Sequence, residues 1–187
     1  MANNSQNVSF GKPKATGGVW YAPAGTTVPT DATTALGNDF VSVGYISEDG
    51  LVDAIETDVT DINAWGGDVV LTGQTSFKQT FTVNLLETNA NALNLYYGED
   101  NVTSNGGGSY TVNTNGTPLP EVVAVFETVI TGGRIKRIVV PHALIADRSG
   151  EITYTDGDAV TYPVVFTALP DSNGNTSTAH IATVAQS

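Results

Sequence analysis

With 187 residues, 40% of them hydrophobic, the chain is long enough for one domain with its own core and too apolar to be intrinsically disordered. Thr and Val make up about a quarter of it and Gly adds 20 residues, a composition that excludes an all-α fold. Seven Lys and Arg against 19 Asp and Glu leave a formal charge of −12, which argues against electrostatically driven binding to nucleic-acid phosphates, and zero Cys excludes disulfides, thiolate zinc sites and cysteine nucleophiles.

Residues 1–18 carry Gly11, Pro13, Gly17 and Gly18 with little apolar periodicity and read as a flexible N-terminal arm; a single domain is expected over 19–187. That domain begins at Val19-Trp20-Tyr21. Thr30-Asp31 can cap one turn through Leu36, with Gly37 as its stop. Phe40, Val41, Val43, Tyr45 and Ile46 then form an apolar strand that ends at Glu48-Asp49-Gly50. Leu51 to Thr60 alternates loosely between apolar and acidic residues, and after Trp65-Gly66-Gly67 a short strand from Asp68 to Thr72 is its antiparallel neighbour.

Residues 76–86 give the clearest two-residue period: Phe77, Phe81, Val83 and Leu85 share one face, and Lys78, Thr80, Thr82 and Asn84 the other. A short helix follows over about 88–98. Thr88 or Asn89 is its N-cap, Ala90, Leu93, Tyr96 and Tyr97 form one stripe, and Gly98 is the stop. So short a helix is unstable alone in water and must dock on the sheet. Residues 101–120, rich in Asn, Thr, Ser and Gly, read as a long mobile loop or an exposed hairpin, with a strand-like Ser109 to Thr114 inside. Glu121 to Ile130 and Arg134 to Val140 are two strands of a hairpin turned by Thr131-Gly132-Gly133. Ala159 to Leu169 is a further strand whose Pro163 calls for an edge or a bulge, and Ala179 to Val184 adds a terminal one. Eight to ten strands with one helix predict a mainly β fold, an antiparallel sandwich or barrel with a short flanking helix and extended arm and loops.

Chemistry is sparse by comparison. No Gly-x-Ser-x-Gly, Walker loop or His-Glu-x-x-His occurs, and His142 and His180 have no motif around them, so no enzyme activity, metal or cofactor is expected. Asp171-Ser172-Asn173-Gly174-Asn175 alternates oxygen ligands as a calcium loop does, but it lacks the later Gly and Glu and reads as a solvated turn. Met1 to Phe10 is polar without an apolar h-region, which predicts synthesis and retention in a cytoplasm, and no apolar run is long enough for a membrane span. The one local charge anomaly is Arg134-Ile135-Lys136-Arg137, three of the seven cations within four residues. It reads either as a subunit contact, where Arg134, Lys136 and Arg137 meet an acidic patch on another copy, or as a charged edge strand that blocks aggregation.

In order and spacing, Gly18-Val19-Trp20-Tyr21-Ala22-Pro23, Val43 to Leu51, Trp65-Gly66-Gly67-Asp68-Val69-Val70, the strand and helix from Thr80 to Gly98, and Thr155-Asp156-Gly157-Asp158 leading into Tyr162 to Asp171 resemble the major tail tube proteins of long, non-contractile (siphovirus) bacteriophage tails, those of actinobacterial phages above all. The resemblance covers roughly residues 17 to 172. It implies a β-sandwich with a flanking helix, a structural virion protein whose hexameric rings stack into the tube through which DNA is ejected, and no catalytic residues. The implied partners are the chain itself and the tape measure, tail terminator and distal tail proteins, with DNA passing through the lumen unbound. Two other classes share the composition: a capsid decoration or adhesin-like sandwich, and a sandwich hydrolase.

Overall fold

The computed structural model describes residues 8–14, 17–148 and 150–183. Eleven strands among them build the fold: β1 (Gly11–Pro13), β2 (Val19–Pro23), β3 (Val41–Ser42), β4 (Val52–Asn63), β5 (Val69–Leu85), β6 (Val102–Gly106), β7 (Ser109–Val112), β8 (Val122–Ile130), β9 (Arg134–Asp147), β10 (Tyr162–Ala168) and β11 (Thr178–Thr183), with one α-helix, α1 (Ala90–Tyr97). Nine strands form one antiparallel sheet in the order β3-β2-β8-β9-β10-β5-β4, with β1 beside β2 on the edge of β8 and β11 beside β10 on the edge of β9; β6 and β7 form a separate hairpin. The fold is mainly β and sandwich-like, as its composition predicts.

The sheet curls on itself. β8 and β5 stand three strand spacings apart, roughly 14 Å along a flat sheet, yet Phe81 of β5 stacks on Phe126 of β8 at 5.0 Å between centroids. Phe166 of β10 closes the same cluster edge-on against Phe126 at 5.5 Å. This concave face holds the main core, with α1 laid across it through Ala92, Leu93, Leu95 and Tyr96. The opposite face of β8 carries a second, smaller core of Ala22, Phe40, Val123, Val125 and Val139, covered by Val28 and Leu36 of the loop after β2. Burial on both faces explains why Val122 to Phe126 is an unbroken apolar run rather than an alternating one.

Helix α1 starts and stops as its sequence predicts. The Asn89 Oδ1 accepts from Ala92 N at 2.8 Å, and Gly98 N donates to Asn94 O at 2.9 Å. Gly98 adopts φ 93°, and a β-carbon there would lie 2.9 Å from Leu119. Asn89 also donates to Val43 O and Glu87 Oε2, so it fastens the helix to the strand region beside it. Asn89→Ala is therefore expected to lower the unfolding free energy by about 1 to 2 kcal/mol, and Asn89→Asp to be destabilising as well, because it keeps the acceptor for Ala92 N but loses both donated bonds and sets a second carboxylate against Glu87, as urea midpoints at constant slope will show.

Several elements differ from the sequence reading. The strands expected at 68–72 and 76–86 are one 17-residue strand, because Thr75 is absorbed as a bulge between the pairs Asp58–Ser76 and Val59–Gln74. The strand expected over 40–46 reduces to Val41–Ser42 plus an isolated bridge from Ile46 to Leu85. Gly44 breaks it at φ 90°, where the Glu87 carboxylate comes in to accept from Tyr45 N at 2.7 Å and leaves no room for a β-carbon. The turn expected after Asp31 is a bend, and β9 runs on through Pro141 to Asp147 past a register shift. Pro163 lies inside the sheet, but at a point of β10 before its ladder with β9 begins, so its missing N–H disturbs no pairing on that side.

Residues 101–120 hold an exposed hairpin, β6 and β7, turned through Gly106, Gly107 and Gly108, all at positive φ. Of the expected N-terminal arm, residues 1–7, 15 and 16 lie outside the described residues, and Gly11–Pro13 pair with Thr128 to Ile130 of β8. Val184 of the expected terminal strand also lies outside them.

Candidate assembly surfaces

Beyond the core, β4 and β5 continue as a two-stranded ribbon. β4 alone, at about 3.3 Å per residue, is about 40 Å long. The ribbon leaves the core at Gln79, a buried amide that donates to Asp53 Oδ1 at 2.8 Å and accepts from Thr176 and Ser177 hydroxyls. Past that point every residue of β5 back to Val69 is exposed. Nine of the fifteen large hydrophobics exposed among the described residues belong to this ribbon, from Val52 to Phe77, and Trp65 at its tip is completely exposed. They occupy both faces: Val52 and Ile62 on one, Ile55, Val59 and Phe77 on the other. Gly66 and Gly67, at φ 133° and 100°, let the tip turn back on itself with Ala64 N donating to Asp68 O at 2.7 Å. The ribbon carries five acids, Asp53, Glu56, Asp58, Asp61 and Asp68, and one cation, Lys78, which lies opposite Glu56.

The three cations singled out in the sequence divide. Arg134 and Lys136 are half-buried, on the strand face that continues to Ile138 and Val140, and Arg134 Nη2 donates to Ser9 Oγ at 3.0 Å. Arg137 points to the opposite face and is fully buried. Its guanidinium reaches Glu127 Oε1 at 2.9 Å from Nε and 2.5 Å from Nη2, and donates to the carbonyls of Asp31 at 2.7 Å and Thr34 at 2.8 Å. Glu127 is 1% exposed and also faces Lys14 Nζ at 3.4 Å. Arg137 thus joins the sheet to the 31–34 bend that covers the second core, and its charge is engaged inside the subunit. The bend is set by Asp31, whose Oδ1 accepts from the amides of Thr33 and Thr34, both at 2.6 Å. Hydrogen bonding from Thr34 and then Thr33 holds that carboxyl well below its ordinary value of 3.8.

At the other end of β8 an open cleft of about 230 Å³ is lined by Tyr21, Leu95, Leu119, Val122 and Ile145, with Glu99 and Glu121 among its walls. The Tyr21 hydroxyl donates to Asn91 O at 3.0 Å, and burial, followed by the Glu99 charge, pushes it up to about 12. His142 Nδ1 bonds Glu121, while His180 lies opposite Arg137 in the register of β11 on β9, so the two histidines stand at different ends of the sheet. The 171–175 segment is closed by its own backbone, Asp171 Oδ1 accepting from the amides of Asn173 and Asn175 at 2.8 Å. No cluster of three His, Cys, Asp or Glu suited to a metal occurs among the described residues, and no helix there is long and apolar enough to cross a membrane.

Sequence reasoning missed the length of the ribbon, the cleft and the Glu127 partner of Arg137. The last had a signal, since Ile135, Arg137 and Val139 share a face by the two-residue period of β9. A family model described as a phage tail tube protein matches residues 1–184. No curated protein matches the chain.

Proposed function

The chain belongs to the phage tail tube proteins, structural components of the virion tail, and from that premise we propose that its copies close into hexameric rings that stack into the tube through which DNA leaves the particle. The observation that carries this reading is the β4–β5 ribbon. A two-stranded hairpin is marginally stable alone in water, and apolar residues on both of its faces gain nothing in an isolated subunit. They gain when strands of neighbouring copies flank the ribbon and continue its sheet. The charged fraction of only 14% fits a surface largely covered by other copies. With five acids to one cation, a ribbon on the inner wall repels phosphates, so DNA slides past without being bound. The tape measure protein within the lumen and the tail terminator and distal tail proteins at its ends complete the set of proposed partners, with synthesis in the host bacterial cytoplasm.

Electron microscopy and sedimentation of concentrated protein test this directly. Tubes are expected. A protein that stays monomeric across salt and temperature, or forms only discrete capsid-binding particles, overturns it. Within the 101–120 segment, Val102, Tyr110, Val112 and Leu119 anchor its base on the main core, and the exposed hairpin tip is proposed as a mobile element that orders on an adjacent copy, since its Gly, Asn and Ser residues bury too little apolar area to offset about 1 to 2 kcal/mol of backbone entropy per residue. Amides at the tip, residues 105–109, are expected to exchange faster than those of the β6–β7 ladder in the subunit and to slow strongly in tubes. Equal exchange in both states removes this segment from the contact.

A further inference from the structure

Charge is distributed along β8 very unevenly. At its Ile130 end, β1, β8, the start of β9 and β11 form a ribbon built from residues 8–14, 126–137 and 178–183. That ribbon holds Lys12, Lys14, Arg134, Lys136 and Arg137, five of the chain's seven cations, and a single acid, Glu127. Five minus one gives +4 there, and −12 minus 4 leaves −16 for the rest. Lys14 and Arg137 face Glu127; Arg134 and Lys136 are half-buried on one face of the ribbon, and Lys12, opposite Val129 and so in line with Ile135, is exposed on the other. Phe10 stands at the same end of the ribbon, 80% exposed, its backbone held by N–H donation to Thr131 Oγ1 at 2.9 Å. The Val122 end, about 27 Å away at strand rise, presents the opposite character: the apolar cleft, with Glu99 and Glu121 in its wall and Asp100 next to it in an exposed turn.

We infer that these two ends are the halves of one interface, in which the Ile130 end of one copy seats on the Val122 end of the next, Phe10 entering the cleft and Lys12, Arg134 and Lys136 facing Glu99, Asp100 and Glu121. The inference rests on the self-assembly proposed above and names the surfaces that would perform it. A second copy is the occupant that the charges select, because the same chain supplies a cationic end with an exposed ring and an acidic end with an apolar recess. Like ends repel, so only the head-to-tail order is favoured, and copies gain a direction. The two contact sites are different surfaces at opposite ends of one strand, so the contact is heterologous and each added copy presents the same free end as the last.

Charge exchange tests it. The head variant carries Lys12→Glu, Arg134→Glu and Lys136→Glu; the tail variant carries Glu99→Lys and Asp100→Lys, with Glu121 retained because it holds His142. Both are expected to keep the circular dichroism of the parent. Each alone is expected to raise the concentration needed for tubes by at least about tenfold, whereas an equimolar mixture, in which acidic heads meet cationic tails, returns to within about threefold of the parent. Variants that assemble singly as the parent does, or a mixture no better than its components, overturn the inference and leave the proposed function standing. A parent protein that forms no tubes under any condition overturns both.

Discussion

Replacing residues 57–77 by an Asn-Gly turn is expected to leave a folded subunit that forms no tubes at any accessible concentration. Glu56 and Lys78 are cross-strand partners, so a two-residue turn between them closes the shortened hairpin without changing register. The removed segment contributes nothing to either core: Phe81, Val83 and Leu85 stay in place, as does the Asp53–Gln79 bond where the ribbon leaves the sheet. It takes away Val59, Ile62, Trp65, Val69, Val70, Leu71 and Phe77, seven exposed large hydrophobics. Covering each such side chain is worth about 1.5 to 3 kcal/mol, so their loss removes on the order of 10 kcal/mol of potential contact before association costs. A milder change, Val59→Asp, puts a charge on the face shared with Ile55 and Phe77 and is expected to raise the assembly concentration by tenfold or more. Pelleting and microscopy read both variants. A truncated subunit that still polymerises would place the joint between copies outside the ribbon.

The residues that build the core were legible in the sequence because their order is local. Phe81, Val83 and Leu85 alternate, Asn89 and Gly98 bracket a helix, and Thr131-Gly132-Gly133 turns a hairpin; each signal sits within a few residues of its consequence. The ribbon was not, because Gly73-Gln74-Thr75 reads as a break when only the chain is considered and becomes a bulge once β4 supplies partners for its neighbours. Nor was the inward turn of Arg137 assignable from composition. Period two places it with Ile135 and Val139, but whether that face is solvent or core depends on the 31–34 bend, more than 100 residues away, whose carbonyls receive the guanidinium. A run of cations looks like one surface feature, yet on a strand alternate members point to opposite faces, and only the partners decide which is buried.

That division carries the second large expectation. Arg137→Ala is expected to lower the unfolding free energy of the subunit by about 3 to 5 kcal/mol, because it leaves the Glu127 carboxylate 1% exposed with only Lys14 at 3.4 Å and strips the donors from the Asp31 and Thr34 carbonyls. Arg137→Lys should recover part of this, since an ammonium cannot address the carboxylate and both carbonyls with the fixed fork that the guanidinium provides. Paired replacement, Arg137→Met with Glu127→Leu, removes the uncompensated charge along with its partner and is expected to cost far less than Arg137→Ala. By contrast, Arg134→Ala and Lys136→Ala, at half-exposed positions, should each change stability by less than about 0.5 kcal/mol. Urea unfolding below the assembly concentration, where mass action adds nothing to the folded state, measures all five. If Arg137→Ala proves as mild as its neighbours, the buried pair contributes little and the bend must be held by the apolar contacts of Val28 and Leu36 instead. The contrast also governs how assembly is probed: reversing all three cations together would unfold the second core through Arg137 and lose tubes for that reason, so only Arg134 and Lys136, with Lys12, report on the contact between copies.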